Sequence, residues 1–304
     1  MFNKVIDVSK FQNVIDWNKV KESTVDGVVI RLGYRGYHKG SIVMDPLYKN
    51  HLSGCIKNNI PYSVYFFPCS ITEAEANEEA DYIIEQVRSL NLSLPVFLDS
   101  EVAEAAGNGR ADKLSVKNRT RFLDIICSKL EKHGINAGVY ASTSWLNNRL
   151  DMSVLSKYTV WCAQYASKCT YTGVYSLWQY TSKGRVSGIK GNVDVSKVVG
   201  ALPDITPKTD SDVKPYYIKG KVYITKVNLY IREKPNGRKH KMYEITADAR
   251  IHSYVDPYGD AVLRAGTRVT CIDVVQDGGS CWIKIPSGWI CAVFNNEKIY
   301  VGGV

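Results

Sequence analysis

At 304 residues the chain exceeds the roughly 100–200 residues of an ordinary single domain, and its 45% apolar and 23% charged residues exclude a fibre or a disordered tail. The net charge of +9 is divided between 24 Lys/Arg against 19 Asp/Glu in residues 1–200 and 15 against 11 in residues 201–304, so no concentrated basic block exists. Such an excess favours approach to a polyanion, whether nucleic acid, an anionic membrane or a wall rich in teichoic acid, but no nucleic-acid motif accompanies it.

Residues 1–7, Met-Phe-Asn-Lys-Val-Ile-Asp, lack the uninterrupted apolar stretch of a signal peptide, and no run of about 18 apolar residues follows. The expectation is a protein made in a cytoplasm, without stable membrane association. Short apolar runs then punctuate residues 1–200, at 28–32, 62–67, 95–99, 138–140, 158–161 and 177–180. Helix-like segments separate the earlier runs, most clearly 72–90 and 115–133, and Thr72 with Glu75 has the spacing of a capping box. Continuous apolar strands separated by helices imply a parallel sheet covered on both faces, and six or more of them imply closure into a barrel. After Trp161 the long helices stop and short turns at Thr172-Gly173 and Ser187-Gly188 connect the strands. The predicted fold class is therefore α/β: an irregular β/α barrel, helical mainly in its first half. Residues 201–215, with Pro203, Pro207 and Pro215 among polar residues, read as a linker. Beyond it, runs at 222–224, 228–231, 268–272 and 281–285, then Trp289-Ile290-Cys291 after a Pro286-Ser287-Gly288 turn, predict a small all-β barrel over 216–304.

Five cysteines (Cys55, Cys69, Cys127, Cys162, Cys169) precede residue 200 and three (Cys271, Cys281, Cys291) follow it. Odd counts argue against a disulfide framework, and no pair has CxxC spacing, so buried free thiols are expected. The five histidines show no metal-ligand spacing, and no metal or cofactor is expected.

The chemistry concentrates in Asp99-Ser100-Glu101, at the end of the apolar strand 95–98. Side chains two apart on a strand share a face, and the C-terminal end of a barrel strand opens on the active-site mouth. Two acids crowded there cannot both ionise cheaply, so one becomes a proton donor at neutral pH. Cleavage of a glycosidic bond needs that donor and a second carboxylate. By itself the pair equally suits a solvated loop end. A repeat shifts the balance: Asp-Val-Ser-Lys occurs at 7–10 and again at 194–197, ending what read as the first and last strands. Closure of the barrel makes those strands neighbours, bringing Asp7 and Asp194 to the rim of Asp99 and Glu101, although either Asp also suits a helix cap.

Asp7-Val8-Ser9-Lys10-Phe11-Gln12 with Ile15-Asp16-Trp17, then Asp99-Ser100-Glu101, Leu177-Trp178-Gln179-Tyr180-Thr181 and Gly191-Asn192-Val193-Asp194, together resemble glycoside hydrolase family 25, the Chalaropsis-type lysozymes. The departures, Ile6 and Asn13 where the family often has Gly, touch turn geometry and no acid. The resemblance implies a partly helical barrel that hydrolyses the β-1,4 bond between N-acetylmuramic acid and N-acetylglucosamine. It implies Glu101 as general acid, Asp99 assisting attack by the substrate's N-acetyl group, and Asp7 and Asp194 as further acids. Tyr65, Tyr140, Trp161, Tyr165 and Trp178 suit sugar stacking, and Gln164 and Gln179 suit hydrogen bonding to an acetamido group; barrel core is an equal reading for each.

Residues 228–232, 263–269, 280–284 and 288–290 resemble a bacterial SH3-like domain, with a longer stretch than usual at 243–260. This implies a wall-binding partner for a 1–200 muramidase domain. The expected partner is peptidoglycan of a Gram-positive wall, not nucleic acid; oligomeric state is left open. The layout is that of a phage endolysin of clostridial type, released to the wall through a holin pore. A bacterial autolysin would share the chemistry, and a non-catalytic wall-binding protein is the rival from another class, against which all four acids speak.

Overall fold

The computed structural model describes residues 2–204, 217–277, 280–295 and 298–303. The chain divides into two compact units, Met1–Lys208 and Thr209–Val304. From residue 205 onward the expected linker lies outside the described residues.

In the first unit the order is β1 (Lys4–Val8), α1 (Trp17–Lys21), β2 (Gly27–Arg35), β3 (Ile42–Met44), α2 (Tyr48–Lys57), β4 (Tyr62–Phe67), α3 (Glu73–Val87), β5 (Val96–Asp99), α4 (Val116–Lys132), β6 (Ala137–Ser142), α5 (Thr143–Asn148), α6 (Met152–Leu155), β7 (Thr159–Ala163), β8 (Leu177–Gly184) and β9 (Val193–Val198). The sheet runs β1-β9-β8-β7-β6-β5-β4-β2-β3, and β1 also pairs with β2. Eight strands thus close a barrel, with β3 attached to β2 as a hairpin outside the closure. Every pairing from β1–β2 round to β7–β8 is parallel, whereas β9 is antiparallel to both β8 and β1. The segments 164–176 and 185–192 that follow β7 and β8 contain no helix. The second Asp-Val-Ser-Lys therefore begins its strand instead of ending it. Because β9 runs backwards, its start lies at the rim where the parallel strands end, and Asp194 sits opposite Asp7.

Helix ends follow local chemistry. The Thr72 hydroxyl accepts from the Glu75 amide at 3.2 Å. The Glu75 carboxylate takes the Ile71 amide at 2.8 Å, one residue upstream of an ordinary capping box. Ser115 caps α4 through the Asn118 amide at 3.2 Å. α3 and α4 pack against each other on the barrel's outer face.

Inside the barrel, Val5, Val29, Leu94, Phe97, Tyr140, Trp161 and Leu177 form one buried cluster. Phe97 and Tyr140 both meet Trp161 edge-on, at centroid distances of 5.0 and 4.8 Å. Room for Phe97 comes from Gly138: a Cβ there would stand 2.6 Å from the Phe97 ring.

The second unit comprises β10 (Val222–Thr225), β11 (Leu229–Tyr230), a 3-10 turn (Met242–Glu244), α7 (Ala247–Ile251), β12 (Ser253–Val255), β13 (Ala261–Leu263), β14 (Arg268–Thr270), β15 (Asp273–Asp277), β16 (Ser280–Ile285), β17 (Gly288–Phe294), β18 (Lys298–Ile299) and β19 (Val301–Gly303). Three small sheets, β14-β10-β19, β11-β13-β12 and β15-β16-β17-β18, surround a core that includes Leu229, Ile231, Leu263, Ile283, Ile290 and Val301. It departs from the all-β expectation within 243–260, where Thr246 accepts from the Ala249 amide and starts α7.

All eight cysteines are free, seven of them buried. No helix among the described residues is long and apolar enough to cross a membrane.

Phe97 is wholly enclosed. Truncation to Ala should cost about 3–5 kcal/mol, as large-to-small changes in aromatic cores do. A urea titration of residues 1–204 should show a lower midpoint; an unchanged midpoint would mean that the aromatic stack does not support the barrel.

Candidate active site

The interior of the barrel alternates strictly, and this alternation builds the site. On β1, β2, β5 and β8 an apolar side chain in the buried layer is followed two residues later by a polar one: Val5 then Asp7, Val29 then Arg31, Phe97 then Asp99, Leu177 then Gln179. β9 supplies the same pair in reverse, with Asp194 at the rim and Ser196 below it, where the Ser196 hydroxyl accepts from Trp161 Nε1 at 2.9 Å. The result is a cavity of about 280 Å³ lined by Asp7, Ser9, Phe11, Gln12, Arg31, Tyr65, Phe67, Asp99, Glu101, Val102, Ala103, Tyr140, Trp161, Tyr165, Gln179 and Asp194.

All four acids singled out in the sequence converge here. Asp7 and Asp99 are 9% and 8% exposed and form the floor. Asp194 is half-buried, and Glu101 is exposed at the mouth. Gln179 organises one wall: its Nε2 donates to Asp7 Oδ2 at 2.9 Å, while its Oε1 accepts from the hydroxyls of Tyr140 (2.8 Å) and Tyr165 (3.1 Å). One oxygen of Asp99, Oδ1, is buried without a hydrogen-bond partner.

Two of the seven expected sugar-binding residues stand apart from the cavity. Trp178 lies between Leu177 and Gln179 on β8, so it faces outward, beneath Lys197. Gln164 closes its own loop: its Oε1 accepts from the Thr170 amide at 2.7 Å, and its Nε2 donates to the Thr170 hydroxyl at 2.9 Å. Tyr65, Tyr140, Trp161, Tyr165 and Gln179 all line the cavity.

Other lining and supporting residues escaped the sequence reading. Arg31 is the one cation among the lining residues. Its Nε donates to Asp45 Oδ2 at 2.7 Å, while its Nη2 is buried without a partner. Asp45 is enclosed and also accepts from the Lys10 and Leu47 amides, which fixes the guanidinium. The visible signal was a charge inside the apolar run 28–32. Asp112, 5% exposed, accepts from the amides of Ala103 (2.7 Å) and Gly109 (2.8 Å), which shapes the loop bearing Glu101. Phe11, 74% exposed, stands at the rim with the Arg31 guanidinium over its ring. Among the described residues no group of three or more His, Cys, Asp or Glu is arranged to hold a metal ion.

Crowding dominates the electrostatics. Burial, then Asp194, pushes the Asp7 carboxyl well above its ordinary value, against the Gln179 hydrogen bond. Burial, then Glu101 and Asp7, does the same to Asp99, against Arg31. Glu101 is raised by the protein atoms hemming it in, although it reaches solvent, and next by Asp194. Asp194 is raised by burial, with the Tyr165 hydroxyl opposing. Four carboxyls that resist ionisation and one fixed cation form a proton reservoir suited to acid catalysis.

A family model describing glycosyl hydrolases family 25 matches residues 6–189, which hold most of this site and all or most of every barrel strand but β9, the strand that bears Asp194. The chain belongs to glycosyl hydrolases family 25. Among relatives, the autolytic lysozyme of Clostridium acetobutylicum is 26% identical over 215 residues, covering 69% of this chain and 61% of the relative. Among solved structures, the modular autolysin LytC from Streptococcus pneumoniae, in complex with a synthetic peptidoglycan ligand, aligns with a TM-score of 0.57 and 30% identity, covering 64% of this chain and 46% of LytC. The catalytic domain of endolysin ply40 from bacteriophage P40 of Listeria monocytogenes aligns with a TM-score of 0.52 and 27% identity, covering 66% of this chain and 94% of that one. The chain thus spans about three-fifths of the clostridial relative and under half of LytC.

A family 25 site of this kind should cost the fold stability. A carboxyl whose folded pKa is raised binds more protons folded than unfolded, so stability falls as pH climbs from the ordinary carboxylate value of about 4 through the raised value. Asp99→Asn removes that loss. It should raise the melting temperature at pH 7, with each pKa unit worth about 1.4 kcal/mol, and the gain should vanish below about pH 3, where both forms are neutral. Equal melting temperatures for variant and parent at pH 7 would contradict the crowding argument.

Proposed function

We propose that the chain is an endolysin-type muramidase: it hydrolyses the β-1,4 bond between N-acetylmuramic acid and N-acetylglucosamine in peptidoglycan. The supporting observation is the convergence of Asp7, Asp99, Glu101 and Asp194 on one rim, above a largely aromatic and apolar layer that fills the barrel.

Glu101, at the mouth and with a raised pKa, delivers a proton to the glycosidic oxygen. The acetamido oxygen of the sugar being cleaved attacks the anomeric carbon as the leaving sugar departs. Asp99 accepts the acetamido N–H through the Oδ1 that otherwise has no partner. That hydrogen bond favours the ionised form of Asp99, as does Arg31, and so offsets the burial that opposes it. Water then opens the cyclic intermediate, returning a proton to Glu101. Burial and the neighbouring Asp194 favour the protonated form of Glu101, and Asp7, held by Gln179, adds a further acid to the rim. Tyr65, Tyr140, Trp161 and Tyr165 offer the aromatic surface on which sugar rings stack.

The C-terminal unit is proposed as an SH3-like domain that holds the enzyme on the wall. Its small sheets and the resemblance carried by 228–232 and 280–290 support that reading. An autolysin would share the chemistry of the barrel.

Glu101→Gln fills the same space but delivers no proton, so turnover on purified walls should fall at least about 100-fold, the usual contribution of a general acid. Asp99→Asn should be severely impaired, with no sugar trapped on the protein. Near-normal turnover by Glu101→Gln would remove the assigned acid, and a glycosyl ester on Asp99 would remove the substrate-assisted step.

A further inference from the structure

The C-terminal unit carries a second cavity, a groove of about 480 Å³ with Trp282, Arg232, Tyr230, Phe294 and Tyr300 in its walls. That size suits a ligand of a few residues. On β16 the neighbours of Trp282, Cys281 and Ile283, enter the core, so Trp282 belongs to the opposite face of the sheet. An indole on the outer face of a sheet is ordinarily accessible. This one is only 4% exposed, sunk in the groove with the Arg232 guanidinium 5.9 Å from its ring. Its Nε1 N–H is buried and has no acceptor. Leaving such a donor unpaired costs about 1–3 kcal/mol. A group entering the groove would recover it.

The hydrogen-bonding capacity of the groove is one-sided. Arg232 gives its Nη1 to the Gly237 carbonyl at 2.6 Å and has no carboxylate partner among the described residues. Among the described residues, no Asp or Glu lines the groove. Of the two asparagines in its wall, Asn228 Oδ1 accepts from the Ala265 amide and Asn236 Nδ2 donates to Asp277. What remains is an indole N–H, a guanidinium and aromatic surface, with Phe294 and Tyr300 stacked at 6.4 Å. A sugar brings many hydroxyl donors, whereas the described lining contributes no carboxylate of its own. A peptide with a free carboxylate brings carbonyl and carboxylate oxygens to Trp282 and Arg232, and small apolar side chains to the rings.

We propose that this groove is a binding site for a short peptide bearing a free carboxylate, of the wall-stem type, gripped by Trp282 Nε1 and Arg232. The proposal rests on the wall-binding reading of this unit and gives it a specific ligand.

The test uses the full chain carrying Glu101→Gln, so that no substrate is turned over, and a synthetic L-alanyl-γ-D-glutamyl-L-lysyl-D-alanine peptide without sugar. One indole N–H resonance, identified by its absence in Trp282→Phe, should move on titration. Arg232→Gln, or amidation of both peptide carboxyls, should each weaken binding at least about 10-fold, the effect of losing one charge-assisted hydrogen bond. The groove assignment is overturned if the Trp282 resonance stays still at millimolar peptide, if the amidated peptide binds equally, or if only chitotriose or poly(glycerol phosphate) moves it. Sedimentation of the same protein with purified walls tests the broader reading separately. Retention on walls with a silent Trp282 would overturn the groove and spare wall binding, whereas failure to sediment would overturn wall binding itself.

Discussion

Like charge held in a confined, poorly solvated rim is the constraint on which the catalytic unit depends. Asp99 feels the other three acids, Asp7 feels Asp194 and Glu101, and Glu101 feels Asp194, with burial the largest cause for each. No single device offsets this. Gln179 gives Asp7 a donor and is itself held by two tyrosines. Arg31, fixed by the enclosed Asp45, supplies positive charge on the side of Asp99. Asp112 holds the loop that keeps Glu101 in the crowd. Removal of any of these supports would act on the acids from outside the cavity floor.

Placement of the acids is a matter of register. Asp7 faces Asp194 because β1 and β9 pair with those two residues opposite each other. A slip of one residue would turn one of them outward and its neighbour inward. The aromatic layer beneath resists such a slip, since Phe97, Trp161 and Tyr140 interlock and Trp161 is tied to Ser196 of β9. Packing in the lower layer and chemistry in the upper one are thus set by the same alternation.

Much of this was legible in the sequence because its periods are short. The strand 62–67 and the helices within 72–90 and 115–133 follow from apolar runs and caps, whereas Glu101 lies just past the end of its strand and reaches the same cavity as Asp99 through the loop. The repeated Asp-Val-Ser-Lys indicated that the chain ends of the barrel meet. Strand direction was not legible: nothing local distinguishes the antiparallel β9, so Asp194 was assigned to the wrong end of its strand yet to the right rim. For Trp178 both sequence readings, sugar stacking and barrel core, point inward, whereas its place between Leu177 and Gln179 puts it on the outer face. In sequence, nothing distinguishes Gln164, whose side chain closes a loop with Thr170, from a side chain that meets a ligand. Arg31 stands out only as a charge inside an apolar run, and its partner Asp45, like Asp112, acts through contacts across 14 or 9 residues that no local pattern reveals.

The central claim is which bond these carboxylates cut. Purified walls digested with the full chain, reduced with borohydride and analysed by mass spectrometry would report it directly. The account predicts fragments ending in reduced N-acetylmuramic acid, absent when Glu101→Gln is used. Fragments ending in reduced N-acetylglucosamine, or peptide cleavage without new reducing ends, would contradict it.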